Sequence, residues 1–182
     1  QGRRKYMEDA VIVIPDLRSD EDPFSMFAVF DGHGGIEAAR WAVENLWKFL
    51  ALLLHEGREP EEALRTSFSM AGCTAAVVLV RRDEVWAANA GDTQIVLLGD
   101  SRGGRGEQLC EIHRPDNENE RRRVEELGGF IKTVGVPRLN GVLAVTRSLG
   151  DFSLHPHLTS EPFVTKAALL PDDRHLVIAT DG

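Results

Sequence analysis

The sequence predicts an α+β fold, on three observations. Apolar runs of strand length follow one another in meander order with turn dipeptides between them. The helical periodicities fall in separate blocks. No stretch alternates strand and crossover helix in the way a parallel βαβ sheet requires. The 182 residues suffice for one domain with a full core, and 42% hydrophobic with 27% charged residues is the balance of a soluble globular chain.

Element by element, "EDAVIVIPD" alternates and stops at a proline turn, and "FSMFAVFDG" is a second strand. The Ser/Asp/Glu/Pro segment between them, Arg18 to Pro23, predicts a hairpin loop. From Ile36 to about His55, Ala39, Val43, Leu46, Trp47, Leu50 and Leu54 recur at helical spacing and predict a long amphipathic helix. "EPEEALRTSF" starts another, with Pro60 in its first turn and acids near its N-terminus. "GCTAAVVLVRRDEVWAANAGDTQIVLLGD" predicts three strands broken at Arg82-Asp83 and Gly91-Asp92, an antiparallel meander. "DNENERRRVEELGG" predicts a polar helix with an Asp/Asn cap and a glycine stop. Its run Arg121 to Arg123 is expected to form a solvated face laced with Glu118 and Glu125. Short strands are expected around Gly141 to Val145 and Leu176 to Thr180.

The formal net charge of -8 argues against nucleic acid as a partner, because such a binder needs a basic face to displace counterions from phosphates. Cys73 and Cys110 cannot make a disulfide framework and form no zinc cluster, so two packed thiols and an intracellular, cytoplasmic or nuclear, setting are expected. The most apolar segment, "LWKFLALLLHE", carries Lys48 and is flanked by Glu44 and Glu56, too short and too charged to span a bilayer. The first residue is Gln rather than Met, and the sequence is read as an excised piece.

Two apolar strands end on Asp-Gly: Asp31-Gly32 and Asp181-Gly182. One such dipeptide is most simply a turn. Two strands that each deliver an aspartate favour a hard-cation site, in which the strand fixes the carboxylate and glycine lets the backbone carbonyl turn toward the same ion. Glu8 and Asp9 stand side by side before a strand, so one can reach a cluster while the other orients groups around it. Asp92 sits at a further turn between apolar runs. Carboxylates at several strand ends without cysteine favour Mg²⁺ or Mn²⁺.

In order along the chain, "GRRKYMED" (with Gly2, Arg4, Met7, Glu8, Asp9), "FAVFDGHGG", "GCTAAVVLV", "ANAGDTQIVLL", "RLNGVLAVTRSLGDF" and "LVIATDG" resemble the blocks of the metal-dependent serine/threonine protein phosphatases, the type 2C or PPM family. The resemblance covers nearly the whole chain. It implies an α-β-β-α sandwich, two antiparallel sheets packed face to face with helices outside, here C-terminally incomplete, so that residues 1–182 are a partial catalytic domain. It implies dephosphorylation of phosphoserine and phosphothreonine in proteins by a metal-activated water, with two Mg²⁺ or Mn²⁺ ions and a weaker third, and a monomer that needs neither nucleic acid nor membrane. Residue by residue, Asp31 would bridge two ions, the Gly32 carbonyl would bind one and Asp181 the other. Glu8 and Asp9 would hold metal-bound waters, and Asp92 would serve the third site. Arg4 would grip the substrate phosphate and His33 would be the general acid. Arg147 and Asp151 would form a fold-holding ion pair near the site.

The chain departs from the pattern in three ways. The spacing from "DGHGG" to "GCTAA" is shorter, Thr93-Gln94 and Ile112 replace the family's usual residues, and the family's later Trp-Asp and Asp-Asn lie beyond the last residue. Exposed apolar faces and weak or absent activity of the 182-residue chain are therefore expected. A pseudophosphatase or truncated isoform acting as a protein-binding module is the alternative reading, set against the intact Asp31 and Asp181. A dinuclear nuclease fits the carboxylates but not the net charge.

Overall fold

The computed structural model describes residues 6–17, 22–68, 73–102 and 106–181. In chain order the elements are β1 (Asp9–Ile14), β2 (Ser25–Asp31), α1 (Glu37–His55), α2 (Pro60–Phe68), β3 (Thr74–Arg81), β4 (Glu84–Ala90), β5 (Gln94–Gly99), β6 (Glu107–Gln108), α3 (Glu118–Glu126), β7 (Ile131–Val134), β8 (Val136–Leu139), β9 (Phe163–Ala168) and β10 (Asp173–Ala179). Strands β1-β2-β3-β4-β9 form one antiparallel sheet, β10-β5-β6 a second, and β7-β8 a separate hairpin. The fold is α+β, as its patterning predicts.

Strand β3 shows how the layers are held. Ala75, Val77 and Leu79 face one way, into a core with Leu46, Leu50 and Phe68 of α1 and α2. Ala76 and Val78 face the other way, into a core with Ile95 and Leu97 of β5. A strand covered on both faces needs a continuous apolar run rather than alternation, which is what "TAAVVLV" supplies. Helix α1 turns Ala39, Ala42, Leu46, Leu50 and Leu54 inward, close to the predicted stripe, whereas Val43 and Trp47 pack at its margin. Leu46 and Leu50 are fully buried, each contributing about 1.5–3 kcal/mol, so Leu50→Ala should cost about 2–5 kcal/mol once its cavity is counted.

Three expectations are corrected. The three strands between Cys73 and Asp100 are not one meander: β3 and β4 pair, but β5 leaves for the second sheet. The chain turns at Gly91, whose φ of +113° no side chain adopts comfortably and where a Cβ would lie 2.6 Å from that of Thr74. Second, the strand pair near residues 131–145 lies earlier than expected. It is β7-β8, closed by Gly135 at φ +74°, and Leu143 joins only through a single bridge to Leu139. Third, the arginine run of α3 is solvated at Arg121 and Arg122 but not at Arg123. Arg121 pairs with Glu125 as expected, but Glu120 and Val124 are buried and Arg123 reaches inward to the Thr146 and His157 carbonyls. The predicted Asn cap holds, with Asn117 Oδ1 accepting from the Asn119 and Glu120 amides.

The loop expected at Arg18 to Pro23 lies largely outside the described residues, but the strands it joins pair antiparallel, with Ile14 opposite Met26. Val11 and Val13 of β1 and Val177 of β10 are solvent-exposed, as expected for a sandwich whose faces are not all covered. Both cysteines are buried and unpaired. No helix among the described residues is long and apolar enough to cross a membrane.

Candidate active site

Each sheet brings a pair of carboxylates to the same end of the sandwich. In the first, β1 and β2 are registered so that Asp9 stands opposite Asp31. Like charges directly across a sheet repel. Burial, and then the charges of Asp9 and Asp181, push the Asp31 carboxyl up to about 6. In the second, β5 and β10 pair as far as Gln94 opposite Ala179. Asp92 and Asp181 lie two residues beyond each, on neighbouring strand ends. Between them reaches Arg114, whose Nε donates to Asp92 Oδ2 at 2.9 Å and whose Nη2 donates to Asp181 Oδ2 at 2.6 Å.

Glu8, Asp9, Asp31, Asp92 and Asp181 line one cavity of about 470 Å³ together with Gly32 and His33. Gly32 is required there: a Cβ would come within 2.7 Å of the Glu8 carbonyl oxygen and 2.8 Å of that of Gly35. The Gly32 amide donates to the Glu8 carbonyl at 3.1 Å, which ties the two acidic segments together. Thr180 Oγ1 donates to Asp9 Oδ2 at 3.2 Å, linking the sheets across the cavity. Among the described residues no three ligating side chains close on a single point. The donor set nevertheless fits a hard cation: it is carboxylate oxygen and backbone carbonyl, one carboxyl is raised by burial and then by like charge, and a guanidinium lies between two others.

His33 Nε2 lies 2.6 Å from Asp151 Oδ2, which also accepts from Ser148 Oγ at 2.6 Å. The hydrogen bond to Asp151 raises the His33 pKa against the opposing effect of burial. Burial would lift the Asp151 carboxyl, but its bonds from His33 and Ser148 hold it below the usual range. Asp151 is held at φ +49°, an unusual conformation for a side-chain-bearing residue.

The expected Arg147–Asp151 ion pair is therefore not formed. Asp151 serves His33, and Arg147 grips Glu120 with Nε at 3.1 Å and Nη2 at 2.7 Å from the same Oε1. The other Glu120 oxygen accepts from Arg123 Nη2 and from Thr146 Oγ1. Burial would raise this carboxyl, but those hydrogen bonds outweigh it and hold it at about 2. The network pins the segment around Thr146 that leads to Asp151. Arg4 lies outside the described residues, as do Gly2 and Gly182.

The roles of Arg114, of Glu120 and of Asp151 beside His33 were not legible in the sequence. Arg114 stands there only as a cation in "EIHRPDN" near the acidic turns. Nothing in the linear pattern says which carboxylates it meets.

The protein phosphatase 2C family model matches residues 1–182. The chain belongs to the protein phosphatase 2C family. Among its curated relatives, protein phosphatase 2C homolog 2 of Aspergillus fumigatus is 36% identical over 218 positions, with all of this chain aligned to 49% of that protein. Human protein phosphatase 1F is 33% identical over 202 positions, with all of this chain aligned to 44% of it. The chain thus spans about half the length of the protein phosphatase 2C relatives it matches. Both alignments run longer than its 182 residues, so these relatives carry segments that this chain lacks.

Among solved structures, a Caenorhabditis elegans sex determining protein superposes with a TM-score of 0.87 at 31% identity, covering 97% of this chain and 48% of that one. A serine-threonine phosphatase 2C from Toxoplasma gondii gives 0.81 at 20% identity, covering 98% and 74%, and bears on the fold. The α+β sandwich expected from the resemblance is the protein phosphatase 2C fold.

Proposed function

We propose that the chain carries the metal-dependent site of a protein serine/threonine phosphatase and that its substrates are phosphorylated proteins. The observation that carries this reading is the convergence of strand-end carboxylates from both sheets on one cavity, beside a glycine that tolerates no side chain and a histidine held by an aspartate. Asp31, Asp181 and the Gly32 carbonyl are the candidates to hold Mg²⁺ or Mn²⁺ directly, with Glu8 and Asp9 beside them and Asp92 at a weaker position. Such ions polarise phosphoryl oxygens and lower the pKa of bound water.

The protein's own groups then divide the remaining work. Asp151, accepting from both Ser148 Oγ and His33 Nε2, keeps the Nε2 proton in place and leaves Nδ1 as the nitrogen that exchanges a proton. His33 can donate that proton to the leaving serine or threonine oxygen. Arg4 is assigned to the substrate phosphate, for which a planar guanidinium is suited.

Hydrolysis of a phosphothreonine peptide by the chain, and by a version extended to the length of its relatives, tests the reading: activity should require Mn²⁺ or Mg²⁺ and vanish in EDTA. His33→Gln should lower kcat on the peptide more than on p-nitrophenyl phosphate, whose leaving group needs no proton. Equal losses on both would remove the acid role. The alternative of a catalytically silent binding module has one observation on its side, the pairing of Asp92 and Asp181 with Arg114 in place of an ion. A correctly folded chain that binds no divalent cation would carry it.

A further inference from the structure

The position of Arg114 is unusual for a cation beside a hydrolytic site. Its guanidinium bridges Asp92 and Asp181 by one charge-assisted hydrogen bond to each carboxylate. The backbone beneath it is fixed. His113 is fully buried, its amide donates to the Gly91 carbonyl at 3.0 Å, and Pro115 follows. The arginine side chain, in contrast, is 41% exposed, so solvent borders the guanidinium where it meets the two carboxylates. Around it, the cavity is lined by the carboxylates Glu8, Asp9 and Asp31, while its other cationic groups are engaged elsewhere: Arg138 donates to the Val134 and Val142 carbonyls and His33 bonds Asp151. Arg114 therefore supplies positive charge where a divalent ion would otherwise supply it.

We infer that Arg114 is a tethered competitor for the metal: it neutralises Asp92 and Asp181 while the cavity holds no ion, and it must release them before they can ligate Mg²⁺ or Mn²⁺. This rests on the metal-centre reading above. The competition is confined to the second-sheet pair, because the guanidinium directs its bonds to Asp92 and Asp181 rather than to Asp9 or Asp31. Ion binding at the Asp31–Gly32 side should be nearly indifferent to Arg114, and the step that engages Asp92 and Asp181 should be weakened by it. A lysine could not reproduce the effect fully, since its donors sit on one compact nitrogen, whereas Arg114 reaches the two carboxylates from two separate nitrogens of a rigid plane.

The test is a Mn²⁺ titration of the metal-free 182-residue chain by calorimetry, at low ionic strength, for the wild type, Arg114→Gln and Arg114→Lys, with thermal melts of each. Arg114→Gln should tighten the weaker Mn²⁺-binding step about five- to tenfold, as expected for loss of a partly exposed competing ion pair. Arg114→Lys should tighten it about two- to threefold, and keeps the experiment decisive if the glutamine variant does not fold. Without metal the glutamine variant should melt a few degrees lower than wild type, and saturating Mn²⁺ should close that gap. If the wild type binds Mn²⁺ and the variants bind it with the same or weaker affinity while melting cooperatively, the inference is overturned and the metal-centre reading survives. If neither wild type nor variants bind Mn²⁺, both fall together.

Discussion

Asp9 and Asp31 face one another across the ends of β1 and β2, and Asp92 and Asp181 end the neighbouring strands β5 and β10. Both pairs put like charge at close quarters, yet among the described residues only the second has a cation bonded to both members. In the first pair, burial and then the repulsion from Asp9 raise the proton affinity of Asp31, whose carboxyl stands at about 6. The difference shows how a site can be prepared for a cation in two ways, by leaving charge unmet or by filling the place with a removable substitute. A third carboxylate, Glu120, marks the other extreme: it is buried and permanently saturated by Arg147, Arg123 and Thr146, and it serves structure.

The largest effect expected concerns the unmet pair. Asp31→Asn in a catalytically active, full-length version should lower phosphopeptide turnover about a thousandfold, since it strips charge from the carboxylate placed to hold the ions, whose contribution is several kcal/mol. Steady-state assays at saturating Mn²⁺ check it, and near-wild-type turnover would move the chemistry to another residue.

Next comes the saturated carboxylate. Glu120→Gln should destabilise the chain by about 2–3 kcal/mol in denaturant unfolding. That is below the cost of breaking a fully buried pair, because Arg123 and Arg147 keep some contact with solvent. Its pH dependence follows from the same network. The folded carboxyl titrates at about 2, below the ordinary glutamate value of about 4.3, so the unfolded chain takes up the proton first as pH falls. The stability Glu120 supplies should be present above about pH 4.3 and lost progressively toward about pH 2. This acid-side slope should be missing in Glu120→Gln.

A smaller and opposite pair of effects distinguishes the two halves of the cluster directly. Without metal, Asp31→Asn should raise the melting temperature by a few degrees, because it removes a carboxylate that is disfavoured in the fold, whereas Asp92→Asn should lower it by a similar amount, because it strips Arg114 of a partner. Shifts of the same sign would erase the proposed contrast.

The subtlest expectation is the alkaline-going slope of the metal-free chain. A folded carboxyl at about 6 lies above its unfolded value of about 3.9, so the unfolded state loses its proton first as pH rises. Stability should decline between about pH 4 and about pH 6 and then level, and the decline should shrink in Asp31→Asn or on adding Mn²⁺. Melts across that range at fixed ionic strength measure it.

Much of this was written into the linear order. Helix α1 and strands β1 and β2 follow from local periodicity, and β3 and β4 from apolar runs bounded by turn residues, because each signal is complete within a dozen or so residues. The aspartates at strand ends were equally legible, since Asp-Gly after an apolar run is a local signal, and the ordered motifs led to the family. The two-residue β6 is too short to register as periodic, β9 breaks its apolar run at Thr165 and Lys166, and β5 looks like the third strand of a meander until its partner β10, far away in the chain, is known. The same limit governs the site. Strand-end position could name Asp31, Asp92 and Asp181, and the resemblance to the family could add His33, but which side chain neutralises which is a matter of contacts across 67 residues for Arg114 with Asp181 and 118 for His33 with Asp151. Side-chain pairing depends on the approach of elements remote in sequence, so the local pattern carries the charges and only the packed sheets decide that Arg147 turns to Glu120, that Asp151 turns to His33, and that one acid pair is bridged while the other is left unmet.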